Sequence, residues 1–282
     1  MRIFATSDLH ADFHANRELV EGISPTEYRQ DGLVLAGDVA HRLEELARVL
    51  ETLRERFAWM VFVPGNHDLW VRGEEGDSLE KFHRILELCD SLGVTTAPSW
   101  MGGHRVVPLF SWYDPSLDGG QSTDPIPERW ADQRHCRWPE GMGLPATYFA
   151  KLNEPHLAAA GTRSGDAKEC ENGGGPHHGT AVGGCARELG ATVPQLTITI
   201  SHFVPRRDLL PPTELLRFRE LPKVAGNPLI EGQLRAAGSH LHVFGHSHIR
   251  RDCVIDGVRY VQHSLGYPRE RRESELGPKQ IV

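Results

Sequence analysis

Short apolar runs recur along the chain, each closed within a residue or two by Gly, Pro or Ser: Ile3-Phe-Ala5, Leu33-Val-Leu-Ala36, Met60-Val-Phe-Val63, Arg105-Val-Val-Pro-Leu-Phe110, Leu196-Thr-Ile-Thr-Ile200 and Leu241-His-Val-Phe244. Brief, β-branched runs of this kind predict buried strands. Between them the period lengthens. Over 41–57, Leu43, Leu46, Leu50, Leu53 and Phe57 fall on one helical stripe. A second helix is capped by Asp77 or Ser78, carries Glu80 near its first turn and Leu79, Phe82, Ile85 and Leu86 on its apolar face, and stops at Gly93. Strand–helix alternation over the first hundred residues is the sequence form of βαβ units and a largely parallel sheet.

From Ser111 the period is lost. Residues 111–142 are rich in Trp, Pro, Asp and Arg, and 161–190 contains Gly173-Gly-Gly175 and Gly183-Gly184, which reads as a disordered loop. The strand pattern resumes at Leu196, so 111–190 is expected to be an insertion into one domain spanning 1–282. Short helices are expected over 213–219 and 230–237. Cys253 to Val261 reads as a hairpin, with Asp256-Gly257 as its tight turn.

Composition narrows the partners. Acidic residues outnumber basic ones, 38 against 31, giving a net charge of −7. Such a field repels polyanions but leaves room for a local phosphate pocket. No apolar stretch is long enough to cross a bilayer, and strand-like Arg2-Ile-Phe-Ala follows Met1 with no signal-peptide pattern. The five cysteines (Cys89, Cys136, Cys170, Cys185, Cys253) are odd in number and scattered, which is no disulfide framework. No membrane partner and a cytoplasmic, reducing location are therefore expected.

Five of the strand-like runs lead into metal-type residues: Asp8-Leu-His10, Gly37-Asp38, Gly65-Asn66-His67-Asp68, Ser201-His202 and Gly245-His246-Ser-His248. Ligands of such sheets bind at the carboxyl ends of the strands, so these side chains are expected on one rim. In extended chain, residues two apart point the same way, so Asp8 with His10, and His246 with His248, can each face one ion. Carboxylate, imidazole and amide oxygen suit Mn, Fe, Zn or Ni, and the absence of thiolates argues against a structural zinc knot. Asp38 is the natural candidate to bridge two cations, which together clamp a phosphoryl group and lower the pKa of the water they share.

In this order the motifs resemble those of the calcineurin-like metallophosphoesterase superfamily, whose pattern D-x-H, G-D, G-N-H-[DE], H, G-H-x-H is matched without a missing ligand. The resemblance covers 1–98 and 197–266 in outline. It implies a four-layer α/β/β/α sandwich with two divalent ions. Asp8, His10 and His248 would hold one metal, Asn66, His202 and His246 the other, and Asp38 would bridge both. His67 matches the catalytic histidine, an imidazole suited to protonating a departing oxygen. The implied reaction is phosphoester hydrolysis by in-line attack of a metal-bridging hydroxide. Asp68 is placed either to orient His67 or to support a metal ligand. Asp38-Val-Ala differs from the Asp-Arg-Gly of Ser/Thr protein phosphatases, and Asp68 stands where they carry Glu. The chain therefore resembles the small bacterial phosphoesterases, among which mono- and diesterases share these motifs.

The substrate is less legible. A small-molecule phosphate ester gripped by 111–160 is the leading expectation, with no substrate-binding residue identified. Trp112, Tyr113, Trp130 and Trp138 can stack on a substrate or form a small core. Arg206 and Arg207 can grip a phosphate or form a solvated pair. A nuclease is the alternative enzyme, using Arg206, Arg207, Arg250, Arg251 and 269–272 as a basic groove, although the acidic balance supplies no electrostatic funnel. A non-catalytic scaffold is expected to lose ligands or the His67 equivalent, and this chain keeps them all. Cys170, His177, His178 and Cys185 fit no compact zinc spacing. His41, His83, His104, His240 and His263 read as core or surface, and 263–266 stands where the edge of the site is expected.

Overall fold

The computed structural model describes residues 1–73, 76–120, 125–126, 128, 130–161, 195–270 and 276–282. Strand β1 (Ile3–Thr6), helix α1 (His14–Glu21), β2 (Gly32–Leu35), α2 (Leu43–Arg56) and β3 (Trp59–Phe62) form two successive βαβ units, followed by α3 (Ser78–Leu92). Next come β4 (Ser99–Met101), β5 (His104–Pro108), and three short helices, α4 (Ala131–His135), α5 (Pro145–Leu152) and α6 (Glu154–Gly161). The last third holds β6 (Thr197–Ile200), α7 (Leu221–Ala225), α8 (Pro228–Ala236), β7 (Leu241–Phe244), β8 (Arg251–Ile255), β9 (Val258–Gln262) and β10 (Lys279–Gln280).

These strands make two sheets, in the orders β10-β1-β2-β3 and β4-β5-β6-β7-β9-β8. β1, β2 and β3 run parallel, as do β5, β6, β7 and β9, while β10, β4 and β8 pair antiparallel at the edges. The apolar runs are continuous because both faces of each sheet are covered. Alternate residues Ile3, Ala5, Val34, Ala36, Val61 and Val63 meet Val106, Ile198, Ile200, Leu241 and Val243 between the sheets. Phe4, Leu33, Leu35, Met60 and Phe62 face outward onto Leu46, Leu50, Leu53, Phe82 and Ile85 of α2 and α3. On the far side, Val107, Phe244 and Tyr260 pack against Ala225 of α7 and Leu234 of α8. Helix, sheet, sheet, helix: the four layers are those the motifs implied.

Local signals explain most boundaries. α3 starts with a full capping box, in which the Asp77 side chain accepts from Leu79 N and Glu80 N while Glu80 accepts from Asp77 N, and it ends at left-handed Gly93 (φ 65°). In the β8–β9 hairpin, Asp256 (φ 48°) and Gly257 (φ 80°) both take positive φ, as a tight two-residue turn requires.

Three expectations change. The helix expected over 213–219 is a single 3₁₀ turn, Thr213–Leu215; Leu216 leaves it in extended conformation to bury its side chain, and helix resumes only at α7. β4 was missed, although Gly102-Gly103, both at positive φ, marks its turn into β5. The expected irregular insertion contains α4, α5 and α6, and its Trp112 and Phe149 are buried in the same core as Phe82 of α3. The glycine-rich loop expected over 161–190 lies, apart from Gly161, outside the described residues, as do Cys170, His177, His178 and Cys185.

Leu50 is fully buried between α2 and the first sheet. Leu50→Ala is expected to cost about 2–5 kcal/mol in urea unfolding, against about 1 kcal/mol for removing the half-buried cap with Asp77→Ala. Equal small losses would contradict this division between core and cap.

Candidate metal centre and its cleft

Among the described residues, six non-glycine residues have positive φ, and five of them carry the metal-type motifs: Asp8 (53°), His10 (44°), Asp38 (56°), His246 (69°) and His248 (54°). The paired motifs therefore do not converge by extended alternation, as their spacing suggested. The chain turns left-handed as it leaves β1, β2 and β7, which is unfavourable for residues with a Cβ and persists only where surrounding contacts over-determine it. Those contacts are visible. Asp8 accepts from His246 N at 2.9 Å, joining the two sheets, and Ser7 Oγ also donates to it. Asp68, wholly buried, accepts from Gly65 N (2.8 Å), Asp38 N (2.9 Å), Val39 N (2.8 Å) and Ala40 N (3.1 Å). It thus ties the loops after β2 and β3 together and makes no hydrogen bond to the His67 ring. Of its two expected roles, support of a neighbouring motif is the one the contacts match. Glycine is required beside it: a Cβ on Gly65 would overlap Asp38 Oδ1, and one on Gly37 (φ 80°) would overlap the His202 ring.

All eight motif residues come together. Asp8, His10 and His248 present donor atoms within 4.8 Å of one another, and so do Asp38, His202 and His246. Asn66 Oδ1 completes the second group, 3.1 Å from His202 Nε2 and 2.9 Å from His246 Nδ1. Asp38 lies between the groups, with Oδ1 3.5 Å from His202 Nε2 and Oδ2 4.0 Å from His10 Nε2. His67 stands beside them, its Nε2 3.9 Å from Asp38 Oδ2. The imidazoles are oriented from behind: His202 Nδ1 donates to Ala36 O (2.8 Å), His246 Nε2 to Val224 O (2.9 Å) and His248 Nδ1 to Glu270 Oε2 (2.7 Å). Each leaves its other ring nitrogen aimed at the cluster, the arrangement that fixes the tautomer of a metal-binding histidine.

A cleft of about 550 Å³ opens at His67, lined by Asp12, Phe13, His41, Trp70, Arg72, Tyr267, Pro268 and Arg269. Trp70 stacks on His67 at 3.7 Å, and Tyr267 stacks on His10 at 4.5 Å with its hydroxyl 3.4 Å from His67 Nε2. Buried Lys81 of α3 donates to the His41 and Trp70 carbonyls and holds the wall from behind. Phe13, by contrast, is 46% exposed at the cleft.

A family model described as calcineurin-like phosphoesterase matches residues 1–144, about half of the chain. The chain belongs to that family. It is a metal-dependent phosphoester hydrolase, outside the Ser/Thr protein phosphatase branch. A curated relative, the [acyl-carrier-protein] phosphodiesterase PptH of Mycobacterium tuberculosis, is 29% identical over 96% of this chain and 79% of its own length. The crystal structure of PptH, phosphopantetheinyl hydrolase, superposes with a TM-score of 0.72 at 24% identity, covering all of this chain and 95% of that one. The shared fold therefore extends through β6 and β7, beyond the matched segment.

The donor set of this phosphoesterase fits divalent cations on electrostatic grounds. Burial pushes the Asp38 carboxyl well above its ordinary range, and the charges of Asp68 and Asp8 add to the push. Burial alone would also raise Asp8, but His248, His202 and His10 overturn that and hold it well below its usual value. Burial and the His248 charge take His10 down to about 3. Burial lowers His67 as well, with His10 and His248 adding to it. His248 goes the other way: burial opposes its charge, yet Asp8 and Glu270 lift it to about 9. Acids that repel and imidazoles that stay neutral are both relieved by a shared cation, because it screens the carboxylates and uses the imidazole lone pairs.

Other expectations resolve differently. The cleft at His67 is walled by loops after β1, β2, β3 and β9, and none of the described residues of 111–160 lines it. Trp112 and Trp138 pack against Phe149, so they belong to the core, and Trp130 stacks on Phe218. Arg206 is engaged by Asp208, Glu231 and Asp256, and Arg207 by the carbonyls of Leu210 and Pro211. Arg250 donates to Ser264 O and Arg251 to Leu209 O, so Arg206, Arg207, Arg250 and Arg251 are tied to their own fold, whereas Arg269 lines the cleft; 271–272 lie outside the described residues. His83, His104 and His240 join no donor cluster among the described residues, whereas His41 walls the cleft with its Nδ1 2.7 Å from Asp12. The 263–266 segment pairs with Ser7 and Asp8 at the edge of the site. Sequence reasoning missed Glu270, Tyr267 and Asp132, none of which lies in a motif.

His248 must release its proton to bind a cation. Its folded value of about 9 exceeds the ordinary 6.5. Its protonated contacts therefore stabilise the metal-free protein fully below about pH 6.5, and that contribution is lost as pH rises through about 9. Metal affinity is expected to rise across the same window, by up to about tenfold per pH unit, and Glu270→Gln should shift the rise to lower pH. Calorimetric titrations that give a flat affinity across the window would contradict this.

Proposed function

We propose that this chain is a binuclear phosphodiesterase. Asp8, His10 and His248 would hold one divalent ion and Asn66, His202 and His246 a second, with Asp38 placed to serve both. The observation that carries the reading is that Asp38 lies between two groups of converging donors while His67, which also converges with His10 and Asp38, opens onto a cleft. Nitrogen and oxygen donors without thiolate suit Mn, Fe, Zn or Ni, with Mn as the first ion to test. Bound ions supply Lewis-acid polarisation of the phosphoryl oxygens and lower the pKa of the attacking water.

The chain's own residues do the rest. His67, aligned by Trp70, offers Nε2 to the departing oxygen, which keeps the electron pair of the broken P–O bond and receives through His67 the proton that the attacking water gives up. Water supplies the hydroxyl that remains on phosphorus. The cleft receives one ester arm along Trp70 and Tyr267, with Arg72 and Arg269 at its edges. A second esterified arm is what distinguishes a diester from a monoester, and the cleft gives it a place. The relative's name, an acyl-carrier-protein phosphodiesterase, supports a diester with one arm borne by a protein, in place of the free small molecule expected from sequence. We read 1–282 as one domain. A cytoplasmic location is part of the same reading: Cys89, Cys136 and Cys253 are free thiols, and among the described residues no helix is long and apolar enough to cross a membrane.

Mn-loaded protein is expected to cleave bis-p-nitrophenyl phosphate faster than p-nitrophenyl phosphate, and to return a phosphopantetheinylated carrier protein to its unmodified mass. His67→Ala should lower kcat by about 10²–10⁴-fold on alkyl esters, and less on nitrophenyl esters whose leaving group needs no proton. Folded, metal-loaded protein that hydrolyses none of these substrates would overturn the assignment. Faster monoester cleavage would overturn the diester part alone.

A further inference from the structure

Asp132 lies in α4, outside every metal motif, and is 3% exposed. Its Oδ1 accepts from Asn66 Nδ2 at 2.8 Å and from Trp70 Nε1 at 2.7 Å, and its Oδ2 accepts from Trp130 Nε1 at 3.0 Å. Trp130 Nε1 also donates to the Tyr113 hydroxyl at 3.1 Å, and the Tyr113 ring stacks beside His246 at 6.4 Å. A carboxylate accepts only, so it suits a place where indole and amide donors converge. Two of those donors belong to the site: Asn66 reaches the second donor group, and Trp70 is the ring on which His67 stacks.

An amide has one coordinating end and one that cannot coordinate. Because Asp132 accepts from Nδ2, Asn66 must turn Oδ1 toward His202 and His246. Without that acceptor the carboxamide can rotate and present its NH₂ to the cluster, which offers a cation no lone pair. We propose that Asp132 is the positioning residue of this phosphoesterase: it fixes the Asn66 amide oxygen toward the second metal and holds Trp70 behind His67, so that α4 acts on the site through one carboxylate. This inference rests on the reading of Asn66 as a metal donor.

The test is calorimetric titration of the full-length apo protein with Mn²⁺, alongside kcat and KM on bis-p-nitrophenyl phosphate. Asn66 and Trp70 share Oδ1, which an asparagine could reproduce, so the variant is Asp132→Leu, similar in size and without any acceptor. It is expected to weaken the second ion by about 10–100-fold, to leave the first ion's affinity unchanged, and to lower kcat more than it raises KM. The double variant Asp132→Leu with Asn66→Asp tells positioning from mere structure: a carboxylate at 66 presents oxygen whichever way it turns. The second ion should then return. Asp132→Leu that binds two ions with wild-type affinity would overturn the proposal. So would a lowered Tm with metal affinities unchanged, or a double variant no better than the single one. Wild-type protein that binds fewer than two ions would instead overturn the binuclear reading, and Asn66→Ala losing no ion would remove Asn66 as the donor; both are read independently of Asp132.

Discussion

The Asp68 carboxylate accepts four backbone N–H groups, one from its own loop and three from the loop after β2, in a place where no water reaches it. Burial raises its pKa to about 7 against the pull of those four donors, and breaking any of these bonds would leave a buried polar group unpaired. Everything in the first half of the site hangs from this joint. It holds Asp38 in a left-handed conformation, brings Gly65 against the Asp38 carboxylate, and sets the start of the His67 turn. The second half of the site is joined to the first by polar contacts at the end of an apolar interface: His202 to Ala36 O, and His246 N to Asp8. Two sheets packed on each other thus close into one cluster at their carboxyl ends.

Local strain and placement are therefore one feature. Each left-handed Asp or His lies where the chain leaves a strand, and each is held by a partner from a different segment. The segment after β9 does the same at the open side, since Glu270 holds His248 while Tyr267 covers His10. The consequence for chemistry is a centre whose inner donors are buried and whose outer edge, at His67 and Tyr267, faces a cleft. In the proposed reaction an ester arm would enter where His67 is, with the two donor groups behind it.

Much of this was legible in the sequence, and the reasons are physical. Strands covered on both faces leave uninterrupted apolar runs, which is why β1, β2, β3, β6 and β7 could be placed. α2 and α3 bury a regular stripe, and Asp256-Gly257 and Gly93 advertise their turns. The motif residues could be named because each one directly follows a strand. What the sequence concealed depends on contact at a distance. Asp and His carry no label for positive φ, so the convergence of Asp8 with His10 was right in outcome and wrong in conformation. Asp132 reaches Asn66 across 66 positions, and Glu270 reaches His248 across 22, by hydrogen bonds that no spacing rule anticipates. The helices of 131–161 cover a corner of the core with a few turns each, too short for a clear period.

The claim on which the rest depends is that Asp38 is shared between two ions. Anomalous diffraction from crystals of the protein grown with Mn²⁺ tests it most directly. The account predicts two peaks, one on each side of the Asp38 carboxylate, the first among Asp8, His10 and His248 and the second among Asn66, His202 and His246. A single peak, or two peaks of which either lies away from Asp38, would contradict it.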